Sequence, residues 1–221
     1  MVKEMNLRAV TRYSMPLVVV LSLGVGLRGA SAQCLFTEIG IPPDSSNNSG
    51  SVFLGEALGQ TFYAEHTLIE SITVWRVAWE GNSVYGMRIF VVPTDSLGHP
   101  DVASMLLAGP SVFHTDGDGV HPTAFEFVFD PPLRLPKIDY YEFAVQSDPC
   151  YGLWDILGVS GEDDYPNGVL WSHSRSIDDP CPLRKRPERL PAADLCFRIR
   201  YCDGVTPTKK SSWGQLKVLY R

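Results

Sequence analysis

Thr123-Ala124-Phe125-Glu126-Phe127-Val128-Phe129-Asp130 sets three phenylalanines at every second position, with Glu126 on the opposite side. Successive side chains leave a β-strand on opposite faces, so this alternation gives one apolar face and one wet face. A helix would spread the same rings around its circumference. Buried together, the rings contribute on the order of 2 kcal/mol each, enough to anchor a core.

The same period recurs on both sides of this stretch. Residues 68–79 alternate Ile72, Val74 and Ala78 against Thr73, Trp75, Val77 and Trp79, with Trp75 and Trp79 expected to fill the core. Residues 84–92 align Tyr85, Met87, Ile89 and Val91. Residues 139–145 set Tyr141, Phe143 and Val145 against Tyr140, Glu142 and Ala144, and residues 195–202 set Phe197, Ile199 and Tyr201 against Arg198 and Arg200. Gly, Pro, Asn and Asp punctuate these segments, and helical periodicity is almost absent apart from a turn expected near residues 101–107. The fold class that follows is all-β: an antiparallel two-sheet sandwich, jelly-roll-like. Glu126 and Glu142 are expected to decorate wet sheet faces.

Ahead of this domain, Lys3, Arg8 and Arg12 precede the apolar run of residues 15–27, and Ala30-Ser31-Ala32 supplies a small-residue cleavage pattern. Residues 1–32 therefore read as a secretory signal peptide, the run being too short to span a bilayer as a helix. Gln33 before Cys34 is not the small residue that lipid attachment takes. The expected division is residues 1–32 signal peptide, 33–204 sandwich domain and 205–221 linker and short tail, with no transmembrane segment after the leader. Removing the leader takes away four basic residues (Lys3, Arg8, Arg12, Arg28) and one acid (Glu4), leaving 15 basic and 24 acidic groups, a formal charge of −9. That balance argues against a nucleic-acid partner, which needs a clustered basic face. An extracytoplasmic location follows: secreted, periplasmic or cell-surface.

All five cysteines lie after residue 32, so disulfides take precedence over metal ligation. Cys150 and Cys181 sit in Pro-rich loops and form the preferred bridge, closing a loop of about 30 residues for roughly 3–4 kcal/mol. Cys34 with Cys202 would join the first and last strands, leaving Cys196 over.

No catalytic framing is present. Asp116-Gly117-Asp118-Gly119 fails the EF-hand pattern, because its first and twelfth positions would be His114 and Phe125. A hairpin turn explains it better. His114 and His121 flank that loop without a zinc-type spacing, and no GxSxG elbow occurs. No metal and no cofactor are expected. Residues 150–191 lose the strand pattern and gather Trp154, Asp155, Tyr165 and Trp171 beside Asp163, Asp164 and Asn167. An exposed ring offers an apolar face to the C–H face of a sugar, while carboxylates and amides accept its hydroxyl hydrogens. Trp154, Asp155, Tyr165 and Trp171 are the candidate ligand-binding residues.

Three groups of residues carry a family resemblance covering roughly residues 58–201. Gly59-Gln60-Thr61-Phe62 with Ile69-Glu70-Ser71-Ile72-Thr73-Val74-Trp75 resembles the opening strands of secreted bacterial β-sandwich modules. Phe127-Val128-Phe129-Asp130-Pro131-Pro132-Leu133 with Tyr140-Tyr141-Glu142-Phe143-Ala144-Val145 is similar to their core, and Gly168-Val169-Leu170-Trp171 with Asp194-Leu195-Cys196-Phe197-Arg198 to their closing strands. These modules are galactose-binding-like and carbohydrate-binding-like. The resemblance implies a non-catalytic exported module contacting glycan or an envelope component. Alternatives are a jelly-roll polysaccharide hydrolase or lyase, and a structural envelope or secreted-assembly protein sorted by its tail. In that tail Trp213, Leu216, Leu219 and Tyr220 recur at helical spacing.

Overall fold

The computed structural model describes residues 33–43, 48–52, 56–78, 80–81, 84–114, 117–149, 155–160, 164–173, 183, 187–190 and 193–206. Residues 1–32, Trp79, Trp154, Cys150, Cys181 and the residues from 207 onward lie outside them.

Fifteen strands account for the described fold: β1 Gln33–Ile41, β2 Asn48–Val52, β3 Ala57–Tyr63, β4 Leu68–Arg76, β5 Glu80–Gly81, β6 Tyr85–Pro93, β7 Leu107–His114, β8 Gly117–Asp118, β9 Thr123–Arg134, β10 Tyr140–Ser147, β11 Asp155–Ser160, β12 Leu170–His173, β13 Glu188–Leu190, β14 Asp194–Leu195 and β15 Phe197–Thr206. The first sheet runs β1-β15-β4-β11-β14, with β2 added on β11 and β9 on β4. The second runs β13-β12-β3-β10-β6-β7, and β5 with β8 makes a small ribbon. Every named strand pair is antiparallel. The expected all-β, two-sheet antiparallel sandwich is thus the fold that forms.

Period-two burial explains why. Phe125, Phe127 and Phe129 of β9 all turn inward, as do Tyr141, Phe143 and Val145 of β10 and Phe197, Ile199 and Tyr201 of β15. The ring centroids of Phe143 and Phe197 lie 5.3 Å apart, closing the core between the two sheets. The turn expected near residues 101–107 is a short 3-10 segment, Val102–Ser104, in which the Ala103 N–H and the Ser104 hydroxyl donate to the Asp101 carboxylate.

A disulfide joins Cys34 to Cys202, tying β1 to β15. The sequence pairing of the first and last strands is therefore present, while the Cys150–Cys181 pairing falls outside the described residues. Cys196 is buried. The last strand continues through Thr206, into the stretch expected to be linker.

Two expectations need correction. Trp75 is only half-buried and faces away from Ile72 and Val74, with the Arg198 guanidinium 5.8 Å over its ring. Glu142 is not on a wet face: it is fully buried, with Ala144 beside it. The outer face of the second sheet carries its own apolar layer of Ala57, Phe90, Val92, Ala144 and Leu183, with Val102 and Met105 packed on it. Beneath that cover, Glu142 Oε1 meets His173 Nε2 at 2.7 Å. Gly59 makes the room, since a Cβ there would lie 1.9 Å from Glu142 Oε1.

Candidate functional site

At the opposite end of that outer face the cover stops, and a groove of about 610 Å³ opens. Three turns and one strand pair build it. The turn after β6 supplies Asp95 and His99, the turn before β10 supplies Lys137 and Asp139, and the approach to β12 supplies Asn167. The floor comes from the sheet itself, through Thr61, Tyr140 and Trp171, with Arg189 on the neighbouring strand.

The wall at residues 164–169 is fixed by buried polar groups. Gln60 points between the sheets, where its Nε2 donates to Asp194 Oδ1 at 2.8 Å and its Oε1 accepts from the Leu195 N–H at 3.0 Å. The second oxygen of Asp194 accepts from the Tyr165 N–H at 2.9 Å. On the outer face the Thr61 hydroxyl accepts from the Val169 N–H at 2.7 Å, and the Thr61 N–H donates to the Val169 carbonyl at 2.9 Å. Gly168 is pressed against this contact, because a Cβ would lie 1.9 Å from the Thr61 carbonyl oxygen. These bonds hold the wall to both sheets, and buried polar groups satisfied in this way specify one arrangement.

The two acids in the groove are engaged locally. Asp95 Oδ1 accepts from the N–H groups of Leu97 at 2.8 Å and His99 at 2.9 Å. Those donors hold the Asp95 carboxyl below the usual carboxylate range. Asp139 Oδ1 accepts from the Tyr140 N–H at 2.9 Å, and its other oxygen pairs with Lys137 Nζ. Lys137 first, then that backbone bond, lowers its pKa.

Of the four residues singled out from the sequence, Trp171 reaches the groove. Its ring is 5% exposed, so it is a floor and not the open platform expected. The His99 ring stands against it at 5.6 Å between centroids and 87° between planes. Tyr165 lies behind the wall, its ring 5.1 Å from Phe197 and nearly perpendicular to it. Burial pushes the Tyr165 hydroxyl up to about 12, against a backbone hydrogen bond with Tyr63. Asp155 opens β11 in the other sheet, paired with Val52, away from this face. Trp154 lies outside the described residues.

Exposed aromatic surface at the groove comes from two residues not singled out. Tyr63 and Tyr140 are cross-strand partners whose rings sit 5.1 Å apart, 37% and 42% exposed, and Tyr140 lines the groove. One signal in the sequence could have found them: with Tyr141 turned inward, Tyr140 must turn outward, next to Asp139. The His114 ring packs at 4.6 Å on Phe125, and His121 Nδ1 meets Asp118 Oδ2 at 2.6 Å, with Asp118 also capping the Val120 and His121 N–H groups. Among the described residues no three His, Cys, Asp or Glu side chains gather as a metal site.

No family model and no curated protein matches the chain. Among solved structures, it is similar to part of the cysteine protease and lectin-like domains of Cwp84, a surface-layer-associated protein of Clostridium difficile, at 12% identity and a TM-score of 0.44, covering 73% of this chain and 37% of that one. A second structure of the clostridial protease Cwp84, after propeptide cleavage, gives 12% identity and a TM-score of 0.46, covering 72% and 41%. The chain thus spans well under half the length of either structure.

Proposed function

We propose that this chain is an exported, non-catalytic β-sandwich that binds glycan in the groove on the outer face of its second sheet. The observation that carries the reading is Tyr140: an exposed ring, backed by Tyr63, forming one side of a concave site that also holds Ser96, Asn167 and Arg189. A sugar presents C–H faces and hydroxyls together, so it needs an apolar plane beside hydrogen-bonding groups. Asn167 furnishes an amide group, and Trp171 dries the floor. A wall clamped through Asp194 and Thr61 is pre-organised, which lowers the ordering cost of binding. The Cys34–Cys202 disulfide supports an extracytoplasmic location, since such bonds persist in oxidising compartments.

Affinity electrophoresis of the mature protein through gels containing different polysaccharides tests this reading. Retardation by at least one polysaccharide is expected, with Tyr140→Ala weakening it roughly 5–10-fold, the value of one stacked aromatic contact. Retardation that Tyr140→Ala leaves unchanged, or no retardation on any polysaccharide, overturns it.

A further inference from the structure

We propose that the groove is selective for an anionic glycan, one carrying carboxylate or sulfate, and that Arg189 is the residue that reads the charge. The inference rests on the glycan-binding reading above and narrows its ligand.

The acids are already taken. Asp95 spends one oxygen on the Leu97 and His99 N–H groups and sets the other 3.6 Å from His99 Nδ1. Asp139 is occupied by Lys137 Nζ and the Tyr140 N–H, so that cation is committed as well. The Thr94 hydroxyl donates to the Tyr140 carbonyl at 3.1 Å. Each of these contacts stiffens a groove turn and withdraws an acceptor from an incoming hydroxyl.

Arg189 is different. It sits on β13 directly across from Trp171, lines the groove and is exposed. Among the described residues it has no carboxylate partner and no hydrogen-bond acceptor. A guanidinium offers five N–H donors in a planar fork that matches a carboxylate or sulfate two bonds at a time. Of the four charged side chains lining the groove, Asp95, Lys137, Asp139 and Arg189, the guanidinium is the one left without a partner among the described residues. A neutral sugar offers the fork single hydroxyl oxygens, whereas an acidic sugar brings a charged pair of acceptor oxygens that the fork can take together.

The net charge of the whole chain, −6, opposes a polyanion at long range. At physiological salt, repulsion between exposed charges is screened beyond about 8 Å, while a contact pair inside a groove is screened far less. The local guanidinium therefore decides affinity, and the distant acids mainly slow association.

Isothermal titration calorimetry of the mature protein with three probes of equal length tests this: an oligogalacturonide, a sulfated galacto-oligosaccharide and a neutral galacto-oligosaccharide. At least one acidic probe is expected to bind about 10–100-fold tighter than the neutral one, the range for a charge-assisted bidentate contact. Whichever acidic probe wins separates carboxylate from sulfate recognition. Arg189→Gln should collapse the acidic-to-neutral ratio to within about twofold, and Arg189→Lys should recover only part of it because the fork is lost. An unchanged thermal midpoint for both variants shows that the exposed substitutions left the fold intact. Neutral binding as tight as acidic, or an Arg189→Gln protein that still prefers the acid, overturns the charge selectivity and leaves the groove a glycan site. No heat with any of the three sugars overturns the charge selectivity, while the polysaccharide gels decide the glycan reading separately.

Discussion

Gln60 Nε2 donates to Asp194 Oδ1 across 2.8 Å, joining positions 134 residues apart in sequence and connecting the two sheets inside the sandwich. Both side chains are buried, and the same aspartate carries the Tyr165 N–H of the groove wall. One carboxylate thus serves the core and the candidate site together. A buried donor that loses its acceptor keeps its desolvation cost, so removing one member leaves the others stranded.

Asp194→Ala should therefore destabilise the protein by about 2–4 kcal/mol, while Asp194→Asn, which keeps one acceptor, should cost less. Urea unfolding followed by tryptophan fluorescence checks this. A midpoint unmoved by Asp194→Ala would show that the bridge contributes nothing.

The Cys34–Cys202 disulfide fastens the first described strand to the last. Changing both cysteines to serine, or reducing the bond, should lower stability by about 2–5 kcal/mol through the freedom regained by the unfolded chain. The check is a urea curve with and without reductant. Coincident curves would contradict it.

Burial holds the Glu142 carboxyl above its ordinary value of 4.5, with His173 pulling the other way. The folded protein then binds this proton more tightly than the unfolded chain does. The associated stability is fully present below 4.5 and is lost as pH rises through the folded value. Glu142→Gln keeps the size and an acceptor for His173 but has no such proton to release. Its stability relative to the parent should grow steadily as pH is raised from about 4 to about 8. Parallel stability curves over that range would refute the assignment.

Gly168 leaves no room for a side chain beside the Thr61 carbonyl, where a Cβ would approach to 1.9 Å. Gly168→Ala must push the wall away from β3, and a loss of about 1–3 kcal/mol is expected together with weaker retention by polysaccharide. Unimpaired retention at unchanged stability would mean that the wall does not shape the site.

Much of the fold was legible because a strand with one buried face writes its burial at every second residue. Phe125, Phe127 and Phe129 turn inward as their spacing requires, and so do the alternating residues of β6, β10 and β15. Alternation says nothing about what later covers the other face. Glu142 looked wet because Val102, Met105 and Leu183, which help to bury its surroundings, come from distant segments, and because His173 lies 31 residues away. The same limit misplaced Trp75, whose ring faces outward beneath Arg198.

The candidate groove gathers an aromatic group beside an amide and two acids, but its exposed ring is Tyr140, and Trp171 forms the floor. Tyr165 and Asp194 act behind the wall, where a hydrogen bond between remote residues leaves no local pattern to read. Gly59-Gln60-Thr61 and Asp194-Leu195, noticed as similar segments, prove to be parts of one buried bridge.

On the proposed function, saccharide enters the groove beside Tyr140. Amide chemical-shift mapping of isotope-labelled mature protein during titration with an oligosaccharide that retards it tests this most directly. Shifts clustered at residues 94–99, 137–140, 166–171 and 189 are the predicted result. Shifts confined to the opposite sheet, or to residues 150–163, would contradict it.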